Sequence, residues 1–194
     1  MSAPSAYKQS VAVPLPSDDD IRAVIGKDDD PETALNVIKM FAGTGEFYPA
    51  LITMVRTIFG TPDINDKHRE MIILRAASIL DVPYEWQANK VMASNAGLTD
   101  TEIKATTSDG PVSGVAPDYV LICTATDELL HTGTLTDDTL STMLDEFGPV
   151  LTRKYAVTIA WFSMLSLFLN ATRTPLETTD KIGSRTSPLA NTNR

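Results

Sequence analysis

A single cysteine, Cys123, and two histidines, His68 and His131, are all that 194 residues offer of the soft and nitrogen ligands. One thiol cannot close an internal disulfide or form a C-x-x-C redox pair, and a cysteine-rich zinc site is excluded with them. The histidines stand alone, without H-x-x-x-H, H-x-H or a carboxylate triad at ligand spacing, so no metal is expected. Positive charge is scarce too. Sixteen Lys+Arg face 25 Asp+Glu, and the net charge of −9 argues against a phosphate-neutralising surface for nucleic acid or an anionic membrane. A Gly-rich phosphate loop and a G-x-S-x-G elbow are both missing, which leaves cofactor-independent chemistry on a small-molecule substrate. The most apolar run, Tyr155 to Leu169, is shorter than the roughly 20 residues of a spanning helix and reads as a buried core or subunit-interface helix. The N-terminus carries no apolar run of signal-peptide length and is broken by Pro4, Pro14 and Pro16, so the expectation is a cytoplasmic protein with a loose arm over residues 1–17.

Alternating strand patterns are also hard to find, whereas helical ones recur. With 43% hydrophobic and 21% charged residues the chain fits one compact domain. Ser17 before three aspartates caps a first helix containing Ile21, Val24 and Ile25. Asp30, Pro31 and Glu32 open a second, with Leu35, Val37, Ile38 and Phe41 as its core stripe. A third runs from Phe47 to Phe59. Asn65 or Asp66 caps a fourth, reaching Leu80, and Asp81 caps a fifth that stops at Gly97. Thr99 and Glu102 mark a short helix, residues 108–117 a loop, and Tyr119–His131, Asp137–Phe147 and Pro149–Asn170 three more helices. The expected fold is an all-α bundle of about seven or eight helices over residues 18–177, followed by a polar tail over 178–194.

Glu70 and Glu85 are the candidate catalytic pair. They lie on consecutive helices joined by a short turn, so antiparallel packing brings both carboxylates towards one cavity. In a low-dielectric pocket two such groups push one pKa upward, leaving an acid and a base at neutral pH. The plainer alternative has Glu70 paired with Arg75 or a neighbouring arginine, fixing the hairpin. Asn89, four residues after Glu85, shares its helix face and is either a substrate-orienting amide or a buried one satisfying backbone groups. Tyr84 and Trp86 flank Glu85 but point in different directions, as substrate contacts or as core. His131 is a further substrate-binding candidate, with a local pairing to Asp127 as its alternative. His68 reads as a surface residue of a first helical turn, and Cys123 as an inert buried thiol.

The segment from Arg69 to Glu102 resembles the carboxymuconolactone decarboxylase family and its alkylhydroperoxidase D-like relatives, through RE-x-x-ILR-x-A beginning at Arg69, YEW at Tyr84–Trp86 and the AGL…EI ending at Ile103. Asp127–Leu144 and the N-A-x-x-x-P-L-E ending at Glu177 are similar to the same family, so the resemblance spans about Ile21 to Glu177. It implies an all-helical subunit, assembly into trimers or hexamers, and active sites between the helices around Asn65–Leu80 and Pro83–Ala96. In the redox branch a Glu precedes C-x-x-C-x-x-x-H. That pattern puts Glu70 at the Glu, Val82 and Glu85 at the cysteines and Asn89 at the histidine, so peroxidase activity is not inherited. The YEW branch commonly continues YEW-x-x-H, and here Asn89 replaces the histidine, an amide that cannot exchange protons as imidazole does. The resulting expectation is a cofactor-independent lyase or isomerase, decarboxylase-like and suited to a tailoring step in biosynthesis. Its substrate is a small unsaturated or carbonyl-containing acid or lactone. The alternative is a non-catalytic binding or assembly protein on the same scaffold.

Overall fold

A computed structural model describes residues 3–25 and 31–189. Among them the regular structure is entirely helical: α1 (Asp18–Ile25), α2 (Asn36–Ala42), a 3-10 turn (Gly45–Phe47), α3 (Tyr48–Gly60), α4 (Asp66–Ile79), α5 (Pro83–Asn95), α6 (Asp100–Ala105), α7 (Pro117–Thr132), α8 (Asp137–Thr172) and α9 (Thr179–Ile182). The all-α bundle expected from the periodicity is the fold, with nine α-helices among the described residues where about seven or eight were expected, the short α9 lying in the segment read as a polar tail.

Local chemistry explains most boundaries. Ser17 Oγ accepts from the Asp20 amide ahead of α1, and Asn65 accepts from the Lys67 amide ahead of α4. Thr99 and Glu102 form a reciprocal capping box at α6. Two boundaries differ from the sequence reading. Asp30 lies outside the described residues, Pro31–Ala34 form a turn and bend, and α2 begins at Asn36, whose amide donates to Glu177 from the far end of the chain. A remote carboxylate thus satisfies the helix start that a local one was expected to cap. Likewise Val82, not Asp81, is the residue preceding α5. Asp81 takes a left-handed φ of 53° to turn the chain, and its carboxylate pairs with Lys8 at 2.7 Å.

The two helices expected over 137–147 and 149–170 are consecutive parts of α8, bent where Gly148 adopts φ 71° and Pro149 follows. By length and composition α8 is long and apolar enough to cross a membrane, contrary to the reading from its apolar run alone. Its inner face is nevertheless core: Tyr155, Ile159, Phe162, Leu165 and Leu169 are buried. Val150, Val157, Met164 and Leu167 on the same helix are exposed.

Helix α4 lies at the centre, packed against α5, α7 and α8, and every residue from His68 to Ser78 is buried. Such a helix tolerates charge only where each group is paired. Arg75 forms a two-pronged bond to Asp127, at 2.5 and 2.9 Å, and donates to the carbonyls of Thr106, Ser108 and Gly110, so it ties the α6–α7 loop to the core. His68, read from the sequence as a surface residue, is buried: its ring nitrogens lie 2.6 Å from the Tyr155 hydroxyl and 2.8 Å from Asp118, inside a box of Tyr119, Phe147 and Tyr155. Periodicity could not show that α4 is enclosed on all sides.

The described segments before α1 and after α9 lie against this body. Tyr7 donates to the Leu169 carbonyl, and the Val13 amide donates to Thr172. Beyond α9, Asn95 donates to the carbonyls of Gly183 and Arg185, Arg69 to that of Thr186, and Arg185 to that of Thr33.

Candidate active site

The turn at Leu80–Val82 folds α5 back along α4 and buries both carboxylates, with Glu70 fully enclosed and Glu85 1% exposed. On α5 the residues Glu85, Ala88, Asn89 and Met92 follow i, i+3, i+4, i+7 spacing and line one wall of a cavity. Trp161, Phe162, Leu165 and Leu169 of α8 face them, and Leu35, Val37 and Phe41 with Val55 and Phe59 close the side formed by α2 and α3. Pro188 of the C-terminal segment covers what remains. The space open to water-sized spheres is small, about 30 Å³, and it is only partly closed off from solvent.

Glu85 is one of the few polar residues lining this space. Ser166 Oγ on α8 donates to Glu85 Oε2, and Glu85 Oε1 is buried without a partner. Burial drives its pKa up to about 8, the hydrogen bond from Ser166 opposing the shift and the charge of Glu70 adding to it. Glu70 does not line the cavity. Its Oε1 accepts from Arg69 Nε at 3.3 Å, its Oε2 is unpaired, and burial raises its pKa to about 7 against the pull of that guanidinium. Arg69 is itself buried, bonded to Asp66 at 2.7 Å and stacked 4.3 Å over the Phe59 ring, which forms part of the cavity wall. The neighbouring arginine foreseen as a structural partner for Glu70 is therefore present, and the two carboxyls are electrostatically coupled as well.

The remaining candidates separate. Asn89 lines the cavity, but its amide nitrogen donates back to the Glu85 carbonyl at 3.0 Å. Tyr84 borders it too, with its hydroxyl committed to Glu177 at 2.8 Å and to the Val37 amide at 3.0 Å, bracing the start of α2. Trp86 faces a separate surface groove shared with Ala3, Pro4 and Ser5. His131 is exposed, and its Nδ1 lies 2.8 Å from the Asp127 carbonyl rather than on the Asp127 carboxylate. Cys123 is buried, its thiol pushed up to about 12 by desolvation. Sequence reasoning missed Ser166 and Trp161. A serine inside the apolar run MLSLFL was the available sign of a buried polar partner. Trp161 Nε1 is buried and also unpaired. Among the described residues no cluster of His, Cys, Asp and Glu is arranged to hold a metal ion.

Residues 45–116 match the family model described as the carboxymuconolactone decarboxylase family. The matched stretch runs from the 3-10 turn through α6 and includes Glu70, Glu85 and Asn89, whereas Trp161 and Ser166 lie outside it. Comparison with curated proteins and with solved structures returned no match.

Proposed function

We propose that the chain is a cofactor-independent acid/base enzyme of the decarboxylase-like kind, a lyase or isomerase that moves a proton beside a carbonyl group. The observation that carries this reading is Glu85: a buried carboxyl with a free oxygen on an apolar cavity, coupled to a second buried carboxyl behind it. With values of about 7 and 8, Glu70 and Glu85 straddle the pH at which one group holds a proton while the other releases it. Because they interact, the two titrate as a pair. Glu70, beside Arg69, is the member better able to carry the charge, and Glu85 is the member able to deliver a proton into the cavity. Asn89 and Tyr84 shape the wall, and peroxide chemistry has no support where Val82 and Glu85 stand at the cysteine positions of the redox pattern.

Solvent-exchange NMR tests this directly. Incubation in D₂O with a panel of small enones, lactones and 2-oxo acids should place deuterium next to the carbonyl of at least one member, and Glu85→Gln should remove that exchange while leaving the helical circular dichroism unchanged. Full exchange in the Gln variant would sink the carboxylate mechanism. A second reading, a binding or assembly protein on the same scaffold, is supported by the wall's other polar groups, Tyr84 and Asn89, being engaged within the protein. That reading predicts ligand-dependent stabilisation without any exchange.

Self-association belongs to the same proposal. Val150, Val157 and Leu167 are 60%, 51% and 60% exposed along α8, an apolar stripe of the kind that a second copy of the chain covers.

A further inference from the structure

The polar groups on the cavity wall are few, and most are already engaged. Tyr84 Oη is held by Glu177 and Val37, and Asn89 Nδ2 by the Glu85 carbonyl. Two buried polar atoms on lining residues are left without partners: Glu85 Oε1 and Trp161 Nε1. The indole N–H is a donor only. Glu85 receives the Ser166 hydrogen bond on Oε2, so in its neutral form Oε1 is the oxygen that carries the proton and donates. Among the described residues no lysine, arginine or histidine lines the space, and its other walls are aliphatic or aromatic. A carboxylate ligand there would be a desolvated anion next to an acidic group with no cation to offset it. Arg69 cannot serve, since its guanidinium is engaged by Glu70, Asp66 and the Thr186 carbonyl behind the Phe59 ring.

We propose that this cavity takes an uncharged, largely apolar carbonyl compound, whose oxygen accepts hydrogen bonds from Trp161 Nε1 and from the Glu85 carboxyl. A carbonyl oxygen has two lone pairs and satisfies both orphan donors at once, while the hydrocarbon remainder meets Phe41, Phe162 and Leu165. The inference narrows the substrate class of the proposed acid/base site and excludes its carboxylate members. Trp161 becomes the specificity-determining residue, outside the segment that matches the family model. Phe59, Asn89, Trp161 and Pro188 are the half-buried members of the lining, so they mark the side on which the pocket meets solvent, and entry of a ring of five or six atoms requires that side to move apart.

The probes are cyclopentanone, methylcyclopentane and cyclopentanecarboxylate, titrated into ¹⁵N-labelled protein at pH 7. The indole N–H resonance is assigned by comparison with Trp161→Phe. Saturable binding of the ketone with a downfield shift of the Trp161 indole proton is expected, with the carboxylate at least tenfold weaker. Trp161→Phe should weaken the ketone about fivefold to tenfold and leave the hydrocarbon unchanged. No saturable ketone binding, an unmoved indole proton, or a carboxylate that binds as well as the ketone overturns the proposal. Equal loss of ketone and hydrocarbon in Trp161→Phe does so too, since it reports packing alone. None of these readouts requires turnover. Glu85→Gln, which keeps an N–H donor, should retain ketone binding while deuterium exchange is lost, so failure of the binding proposal and failure of the catalytic one are separable.

Discussion

Ser166 on α8 donates a hydrogen bond to Glu85 on α5 across 81 positions of sequence, and this contact engages one carboxyl oxygen of a cavity-lining residue while the other has no partner. Ser166 is a positioning residue: it touches the cavity only through Glu85. Because its hydrogen bond stabilises the carboxylate form, Ser166→Ala should raise the Glu85 pKa above about 8. The basic limb of the exchange-against-pH profile should then move upward by a measurable fraction of a unit, and the Cys variant should restore part of the shift. An unmoved profile would separate Ser166 from the acid.

Both buried carboxyls make the fold more stable in acid than in base. Their folded values, about 7 for Glu70 and about 8 for Glu85, lie above the ordinary value of 4.5, so between about pH 4.5 and 8 the native state binds more protons than the unfolded chain. Their stabilising contribution is complete below about 4.5 and is lost as pH rises through 7 and 8. Urea unfolding at pH 5.5 and 8.5 should show a decline on the order of a few kcal/mol from these groups. Glu85→Gln should flatten that decline and be the more stable protein at pH 8.5.

Arg75 is a costly side chain to shorten. Its removal leaves Asp127 and three loop carbonyls without their donor, and loss of one partner from such a buried pair typically costs about 3–5 kcal/mol. Arg75→Met should lower the thermal midpoint by roughly 6 to 20 degrees for a chain of this size. Lysine should rescue little, because an ammonium cannot span the Asp127 carboxylate and the loop together.

The exposed stripe on α8 gives an assembly prediction. Val157→Glu and Leu167→Glu place charge on an apolar face that contributes nothing to the subunit core. Light scattering after size exclusion should show a multimer for the parent chain and a smaller species for the double variant, with circular dichroism unchanged. A monomeric parent chain would end the proposal of a homo-oligomer.

In the bundle's interior, Tyr155→Phe probes the polar link with His68. It deletes the hydroxyl 2.6 Å from His68 Nδ1 while keeping the ring, and should cost about 1–3 kcal/mol in urea unfolding. Cyclopentanone binding should be unaffected, since neither residue lines the cavity.

Periodicity and capping chemistry were enough to determine an all-helical chain, because a helix start, an apolar stripe and a glycine or proline stop are local signals. The same local reasoning placed Glu85 and Asn89 on one face of α5 and marked Glu70 on the preceding helix. It failed wherever the deciding partner is distant. The start of α2 depends on Glu177, the burial of His68 on Asp118 and Tyr155, and the orientation of Glu85 on Ser166. Trp86 and Tyr84 read alike as aromatics beside a candidate acid, yet only the packing of α8 and the N-terminal segment sends one to a surface groove and the other to the cavity wall. Few cysteines and few cations already moved the chemistry from thiols to carboxyls in the sequence itself. Tertiary structure alone decided that those carboxyls are desolvated, that one faces an apolar space and one backs it, and that no positive charge among the described residues shares that space. Desolvation and pairing arise from the surroundings of a group, and surroundings are assembled from residues far apart in the chain.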